Sequence, residues 1–297
     1  MSQRERRMSP DPEFTPFMEA NRARWDESVP IHVASEGYDL EGFLRGEKSL
    51  YPLEIEEVGD VVGKSLLHLQ CHFGMDTLNW ARLGARVTGL DYSEPAVEAA
   101  RDLAARIGVT DARFVQSNVY DAREALSEQF DVVYTGIGAL NWLPDIRGWA
   151  RVAAGFVRTG GFLYLYEAHP MLSALDDEQP DGQLMVRYPY FEVPAPVAYE
   201  TASTYVDGPP LKNQQGYEWN HGLGEVVTSL IEAGLRIEFL HEHREVAWQG
   251  LPWMIAENAV PSGSMHRRRE HWRLPEAQRD LVPLMYSLKA SKPEARA

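Results

Sequence analysis

Between Val61 and Glu167, short apolar runs alternate with amphipathic stretches. Ser65-Leu66-Leu67-His68-Leu69 reads as a buried strand, and Asp76 is placed to cap a helix from Thr77 to Leu83. Gly84-Ala85 ends that helix, and Arg86 to Leu90 reads as a second strand. Ser93 suits the N-cap of the next helix, with Pro95 tolerated in its first turn. Arg113-Phe114-Val115 and Phe130 to Tyr134 follow as strands three and four. Trp149, Val152, Ala153, Phe156 and Val157 recur at i, i+3, i+4, i+7, i+8, which predicts a helix that Gly160-Gly161 stops. Phe162 to Tyr166 is a continuous apolar run, hence a fifth strand buried on both faces.

Strands alternating with helices predict an α/β, doubly wound, mostly parallel sheet with right-handed crossovers. Ligands of such sheets bind outside the carboxyl ends of the strands, so function is expected in the loops after Leu69, Leu90, Val115 and Tyr134. The pattern changes from Ala168 to Tyr217, where prolines and tyrosines cluster, and this predicts an inserted antiparallel β cap over an acceptor site. A helix resumes at Leu223, Val226, Val227, Leu230 and Ile231 and closes at Gly234. Leu235, Ile237 and Phe239 alternate as a strand, a long irregular segment follows, and Leu284, Tyr286 and Leu288 form the last strand. The division expected is a tail over 1–13, a helical N-terminal cap over 14–60, a core over 61–167, the β cap over 168–217, the rest of the core over 218–290 and a tail over 291–297.

Charge narrows the partners. Forty-four acidic residues against 29 basic ones leave a net charge of -15, which disfavours a phosphate backbone as ligand. The one basic run, Met265 to Arg269, reads as a solvated face. A single cysteine, Cys71, fits a reducing cytoplasm and reads as a small buried packing residue. No segment approaches the ~20 apolar residues of a membrane span, and residues 1–13 do not resemble a secretory signal. The expected partner is a small molecule, with no nucleic acid or membrane, and a homodimer is left open.

A nucleotide-like cofactor on such a sheet needs a first loop that admits it, an acid after strand two for the ribose hydroxyls, and a side chain after strand three for the adenine. Asp91 is placed to be the acid, Tyr92 to pack on the adenine, and Asn118, followed by Val119, to meet its edge. Leu69, Gln70, His72 and Gly74 in the first loop and Gly136 after strand four complete the cofactor set.

Leu67-His68-Leu69-Gln70-Cys71-His72-Phe73-Gly74, followed by Val87 to Asp91, resembles the class I seven-stranded S-adenosylmethionine-dependent methyltransferases. Within them it is most similar to a bacterial subgroup that reads His-Leu-Gln-Cys-His-Phe-Gly in the first loop. The resemblance covers about Val61 to Glu167, and extends more weakly to the Trp25, His32, Tyr38 region and to Leu284 through Ala290. It implies a seventh, reversed final strand, S-adenosylmethionine as cofactor, and methyl transfer to a small-molecule acceptor. The wider family has an acid where this chain has His68, and glycines where it has Gln70 and His72, so these two side chains are expected to replace contacts made elsewhere by bare backbone. A nicotinamide oxidoreductase is disfavoured by the missing Gly-x-Gly-x-x-Gly and by the reversed strand. A protein that binds the cofactor without methylating, regulatory or cyclase-like, is the alternative.

Methyl transfer from a sulfonium asks mainly for alignment, with a base only where the acceptor atom is protonated. His169, at the carboxyl end of strand five, and His221 are the candidate bases. Trp25, Tyr38, Trp142, Tyr188, Tyr190 and Tyr199 are the candidate acceptor wall, with Phe191 and Tyr205 beside them, which suits an aromatic or apolar acceptor. His241 and His243 share a strand face, but no third ligand accompanies them, so no metal site is assigned.

Overall fold

The computed structural model describes residues 11–257 and 271–294; the basic run at 265–269 and most of the two tails lie outside these residues. Helix α1 (Thr15–Ala34), α2 (Leu40–Leu44) and α3 (Pro52–Val58) lead into the core. There β1 (Ser65–Leu69), α4 (Met75–Arg82), β2 (Arg86–Asp91), α5 (Glu94–Arg106), β3 (Arg113–Gln116), α6 (Ala122–Ala125), β4 (Phe130–Thr135), α7 (Ile146–Phe156) and β5 (Val157–Ala168) follow one another. Beyond them lie α8 (Pro170–Ala174), β6 (Val197–Glu200), β7 (Gln215–Glu218), α9 (Leu223–Glu232) and β8 (Arg236–His243). Short strands β9 (Glu245–Val246), β10 (Ile255–Glu257) and β11 (His271–Arg273) precede β12 (Met285–Ser291).

Seven strands form one sheet in the order β3-β2-β1-β4-β5-β12-β8. The first five are parallel, and β12 runs antiparallel to both β5 and β8. This is the expected doubly wound sheet with its reversed last strand. The order reverses at β1, so the loops after β1 and β4 diverge and leave a crevice at the carboxyl edge. The sheet is buried on both faces: β1 packs Leu67 and Leu69 into one apolar cluster with α7 and α9, and Leu66 into another with Trp80 and Val87. Ser93 caps α5 as expected, its Oγ accepting from Ala96 N at 3.3 Å.

Three local expectations change. The N-cap of α4 is Gly74, not Asp76, because the first loop enters the helix through a left-handed residue (φ 79°). Helix α7 ends at Phe156 and the chain passes at once into β5, so Gly160-Gly161 lies within the strand's first half. A Cβ on Gly161 would sit 2.7 Å from the Asp131 carbonyl, so strand crowding explains that glycine, not helix termination. The segment read as irregular contains a small antiparallel sheet, β10-β11-β9, whose strands of two or three residues are too short to show periodicity.

The 168–217 segment carries the short helix α8, an isolated antiparallel bridge between Leu175 and Val186 and one antiparallel pair, β6 with β7, and otherwise follows turns. Helix α1 fixes it. The buried Arg24 guanidinium donates to the carbonyls of Thr201 (2.9 Å), Ser203 (2.6 Å), Asn213 (3.2 Å) and Gln214 (3.4 Å). Asn21 bonds the Tyr217 main chain in both directions, and the Glu27 carboxylate accepts from the amides of Lys212 and Asn213. Turns without a ladder leave carbonyls unpaired, and one buried arginine answers four of them.

Candidate functional site

A cavity of about 870 Å³ opens over the carboxyl ends of β1, β2 and β4, and a second of about 670 Å³ lies under the 168–217 segment. They meet at Trp25, Gly138, Asn141, Trp142, Tyr205 and Trp248, which line both.

The first cavity gathers most of the expected cofactor residues: Gln70, His72, Asp91, Tyr92, Asn118, Val119 and Gly136. Asp91 ends β2 with its carboxylate held by main-chain amides, Oδ2 accepting from His72 N at 2.7 Å and Oδ1 from Ser93 N at 2.9 Å. Each oxygen keeps a further lone pair for a ligand hydroxyl. Burial pushes its carboxyl up to about 6, against the pull of those amides. Asn118 uses Oδ1 to cap the turn after β3, accepting from Tyr120 N at 3.1 Å. The Tyr92 hydroxyl donates to Glu19 of α1 at 2.5 Å, which turns the ring over the same end of the cavity.

In the first loop, Gln70 (φ 59°) and His72 (φ 51°) occupy the left-handed region that favours glycine. The backbone therefore follows a glycine-like path although both positions carry side chains. Gln70 Nε2 donates to the Ala139 carbonyl at 2.7 Å, tying the first loop to the fourth, and its buried Oε1 has no hydrogen-bond partner. His72 is bonded through both ring nitrogens. Its Nδ1 accepts from Phe73 N at 2.8 Å, so the proton of the neutral ring is on Nε2, which faces His32 Nδ1 at 2.8 Å. His32 Nε2 in turn faces Thr204 Oγ1 at 2.6 Å. Burial, and secondarily the charge of Arg24, lower His32 to about 4, so His32 itself is neutral near pH 7.

Gly74 and Leu69 do not line the cavity. A Cβ on Gly74 would meet Phe114 Cε1 at 2.8 Å and Ala100 Cβ at 2.9 Å, and its φ is 79°. The position needs glycine because the first loop packs on α5 and β3, not because a ligand approaches it. Leu69 is fully buried in the core.

Of the expected acceptor wall, Trp25, Tyr38 and Trp142 line the first cavity, while Tyr188 and Tyr199, with Trp25 and Trp142, line the second. Tyr190 lines neither; its ring lies against Gly222 and its hydroxyl accepts from Leu223 N. Phe191 is exposed. Neither proposed base is free for the role. His169 caps α8 through Nδ1, which accepts from Met171 N at 3.0 Å, and its Nε2 pairs with Glu242 at 3.0 Å. It lines neither cavity, because the chain turns into α8 just after β5 and carries the ring back towards Tyr286. His221 borders the second cavity, but Nδ1 meets Glu192 at 2.7 Å and Nε2 meets the Leu143 and Leu140 carbonyls at 2.8 and 3.1 Å. Both ring nitrogens are thus taken up by oxygen partners within the protein. His241 pairs with Glu57 and His243 with Ser287.

Several residues outside the expected cofactor and acceptor sets also line the cavities. Glu54 of α3 is buried at the first cavity, accepting from the Tyr134 hydroxyl and from Tyr51 N, and His68, Asp76 and Trp272 line the same end. Glu167, which ends β5, accepts from the amides of Gly138 (2.6 Å), Ala139 (2.8 Å) and Leu140 (3.0 Å) and so shapes the loop between the cavities.

Comparisons with known proteins bear on the fold and on part of the chain. Solved structures with the same fold include a putative S-adenosylmethionine-dependent methyltransferase from Listeria monocytogenes, with a TM-score of 0.55 and 17% identity over 81% of this chain and 98% of that one. A second, from Mesorhizobium loti, has a TM-score of 0.53 and 20% identity over 83% and 99%. The chain thus shares its fold with these two proteins. Residues 67–163 match the family model described as a methyltransferase domain. Ubiquinone biosynthesis O-methyltransferases from Serratia proteamaculans and Erwinia tasmaniensis are each 32% identical over 136 residues, 44% of this chain. The chain spans 56% and 55% of the lengths of these two relatives.

Proposed function

We propose that the chain is an S-adenosylmethionine-dependent methyltransferase acting on a small molecule, with the donor in the first cavity and the acceptor in the second. The observation that carries this reading is Asp91: a half-buried carboxylate at the end of β2, held by two amides and open to the cavity, is what a ribose diol requires. Asn118 and Val119 flank the adenine end, and Tyr92 covers it. The buried, unpartnered Oε1 of Gln70 fits a donor group on the amino-acid end, such as its ammonium. When bound, S-adenosylmethionine supplies an electrophilic methyl group on a sulfonium.

The chain's own part is alignment and exclusion of water. Trp25 and Trp142, packed edge to face at 5.3 Å, stand at the junction of the two cavities. Their faces tolerate a cation and turn water away. Both expected bases being engaged elsewhere, the reading favours catalysis by positioning. Two assays test it: calorimetric titration with S-adenosylhomocysteine, expected to show one site, and transfer of labelled methyl into a small-metabolite extract. Binding without transfer into any metabolite fraction would favour the cofactor-binding protein that does not methylate, and no binding would remove both.

A further inference from the structure

The second cavity has an unbalanced set of charges. Glu167, Asp177, Glu178 and Glu218 line it against one guanidinium, Arg24, among the described residues. Most of these groups are already answered. Glu167 accepts from main-chain amides, Glu178 pairs with Arg187, Asp177 accepts from the Tyr188 hydroxyl, and Arg24 is engaged by four carbonyls. Glu218, on β7, is hydrogen-bonded only by neutral groups, the Asn141 side chain and the Tyr199 hydroxyl; Arg24, held by its four carbonyls, acts on it through charge alone and more weakly than either. Beside it, Asn141 Oδ1 is buried and has no partner. A carboxylate and an amide oxygen are both acceptors, so what is missing between them is a donor, and the charge calls for a cationic one.

We propose that the second cavity takes an acceptor bearing a protonated amine, with the Glu218 carboxylate as its counter-charge and Asn141 Oδ1 as a second hydrogen-bond acceptor. This inference rests on the reading of that cavity as the acceptor site. Tyr199, Trp25 and Trp142 supply aromatic walls, so the fitting class is an aryl-alkylamine or a similar flat amine. An acceptor carrying a carboxylate would meet the Glu218 carboxylate with no free cation beside it among the described residues, which disfavours it by like-charge repulsion. Burial pushes the Glu218 carboxyl up against the weaker pull of Asn141 and Tyr199, and a bound ammonium relieves that cost. Glu218 does not line the cofactor cavity, so it is a specificity residue of the acceptor side alone.

The test is calorimetric titration of the full chain with tryptamine and tyramine, and with their carboxylate counterparts indoleacetate and hydroxyphenylacetate, with and without saturating S-adenosylhomocysteine. The amines are expected to bind about 10- to 100-fold more tightly than the carboxylates, the size of a hydrogen bond to a charged group. Glu218→Gln, an isosteric change, should abolish that preference and leave S-adenosylhomocysteine affinity unchanged. Equal binding of the two sets by the unaltered protein, or a preference that survives in Glu218→Gln, overturns the inference. Amine preference is read separately from nucleotide binding, so a chain that prefers amines but ignores S-adenosylhomocysteine refutes the cofactor reading alone.

Discussion

The two cavities differ in how they are built. The first is assembled from turns that each follow one strand: Gln70 and His72 after β1, Asp91 and Tyr92 at β2, Asn118 after β3, Gly136 after β4. Its polar groups are held by neighbours close by in sequence or on the adjacent strand, as Asp91 is by Ser93 and His72. The second joins α1, the loop after β4, residues 167–221, Trp248, Gly250 and Tyr286, and its 201–214 wall is held by one arginine reaching 177 to 190 residues along the chain. A sheet edge presents its loops wherever the strands pair, so the first cavity follows from the ladder. The second rests on the ends of β5 and β12 and on the short β6–β7 pair, and the turns around that pair depend on side chains that answer their carbonyls.

The most damaging change should fall on the core side. Gly74→Val combines a left-handed residue with a Cβ driven into Phe114 and Ala100, and is expected to cost about 2–5 kcal/mol of global stability. Denaturant unfolding reads this, and a fully stable variant that merely binds cofactor poorly would return Gly74 to the role of a ligand-approach glycine. Next comes Arg24→Ala, which takes a guanidinium away from four part-buried carbonyls, of which that of Gln214 keeps the Thr201 amide, at a cost of ~1–3 kcal/mol in total. Its signature is local: hydrogen exchange of residues 201–217 should accelerate while β1 to β4 stay protected. Uniform acceleration across the sheet would mean that the two regions are one cooperative unit.

Asp91→Ala should weaken S-adenosylhomocysteine by ~1.5–3 kcal/mol with the fold intact. Calorimetry showing unaltered affinity would remove the ribose assignment. The smallest effect is set by pH. Asp91 must be ionised to accept two ribose hydroxyls, and burial has raised it to about 6, so affinity should fall roughly tenfold per unit below that pH. The stability contribution runs the other way. A carboxyl whose folded value lies above its ordinary 3.8 binds more protons folded than unfolded, so its burial cost is full above about 6 and shrinks as pH falls towards 4. Lost affinity at pH 5 is therefore not unfolding driven by this group, and a pH-independent affinity from 5 to 7 would show that Asp91 does not meet the ribose.

The strand-helix alternation from Val61 to Glu167 determined, along the chain alone, the sheet, the turn after each strand and the acid at the end of β2. These depend on a period and on near neighbours, which a linear pattern records. The same pattern misjudged His169, because whether a histidine after a strand faces a ligand depends on where the next turn sends the chain, and Pro170 begins α8. Gly74 was legible as obligatory, while its cause, the packing of Phe114 and Ala100 forty and twenty-six positions away, was not. Glu54, Glu218 and Trp272 carried no mark of function, since a lone carboxylate or tryptophan acquires a role only from what it is buried beside. Tertiary structure alone decided which acid of an acidic chain keeps an unanswered charge, because desolvation and partnering are properties of a place in space and not of a position in sequence.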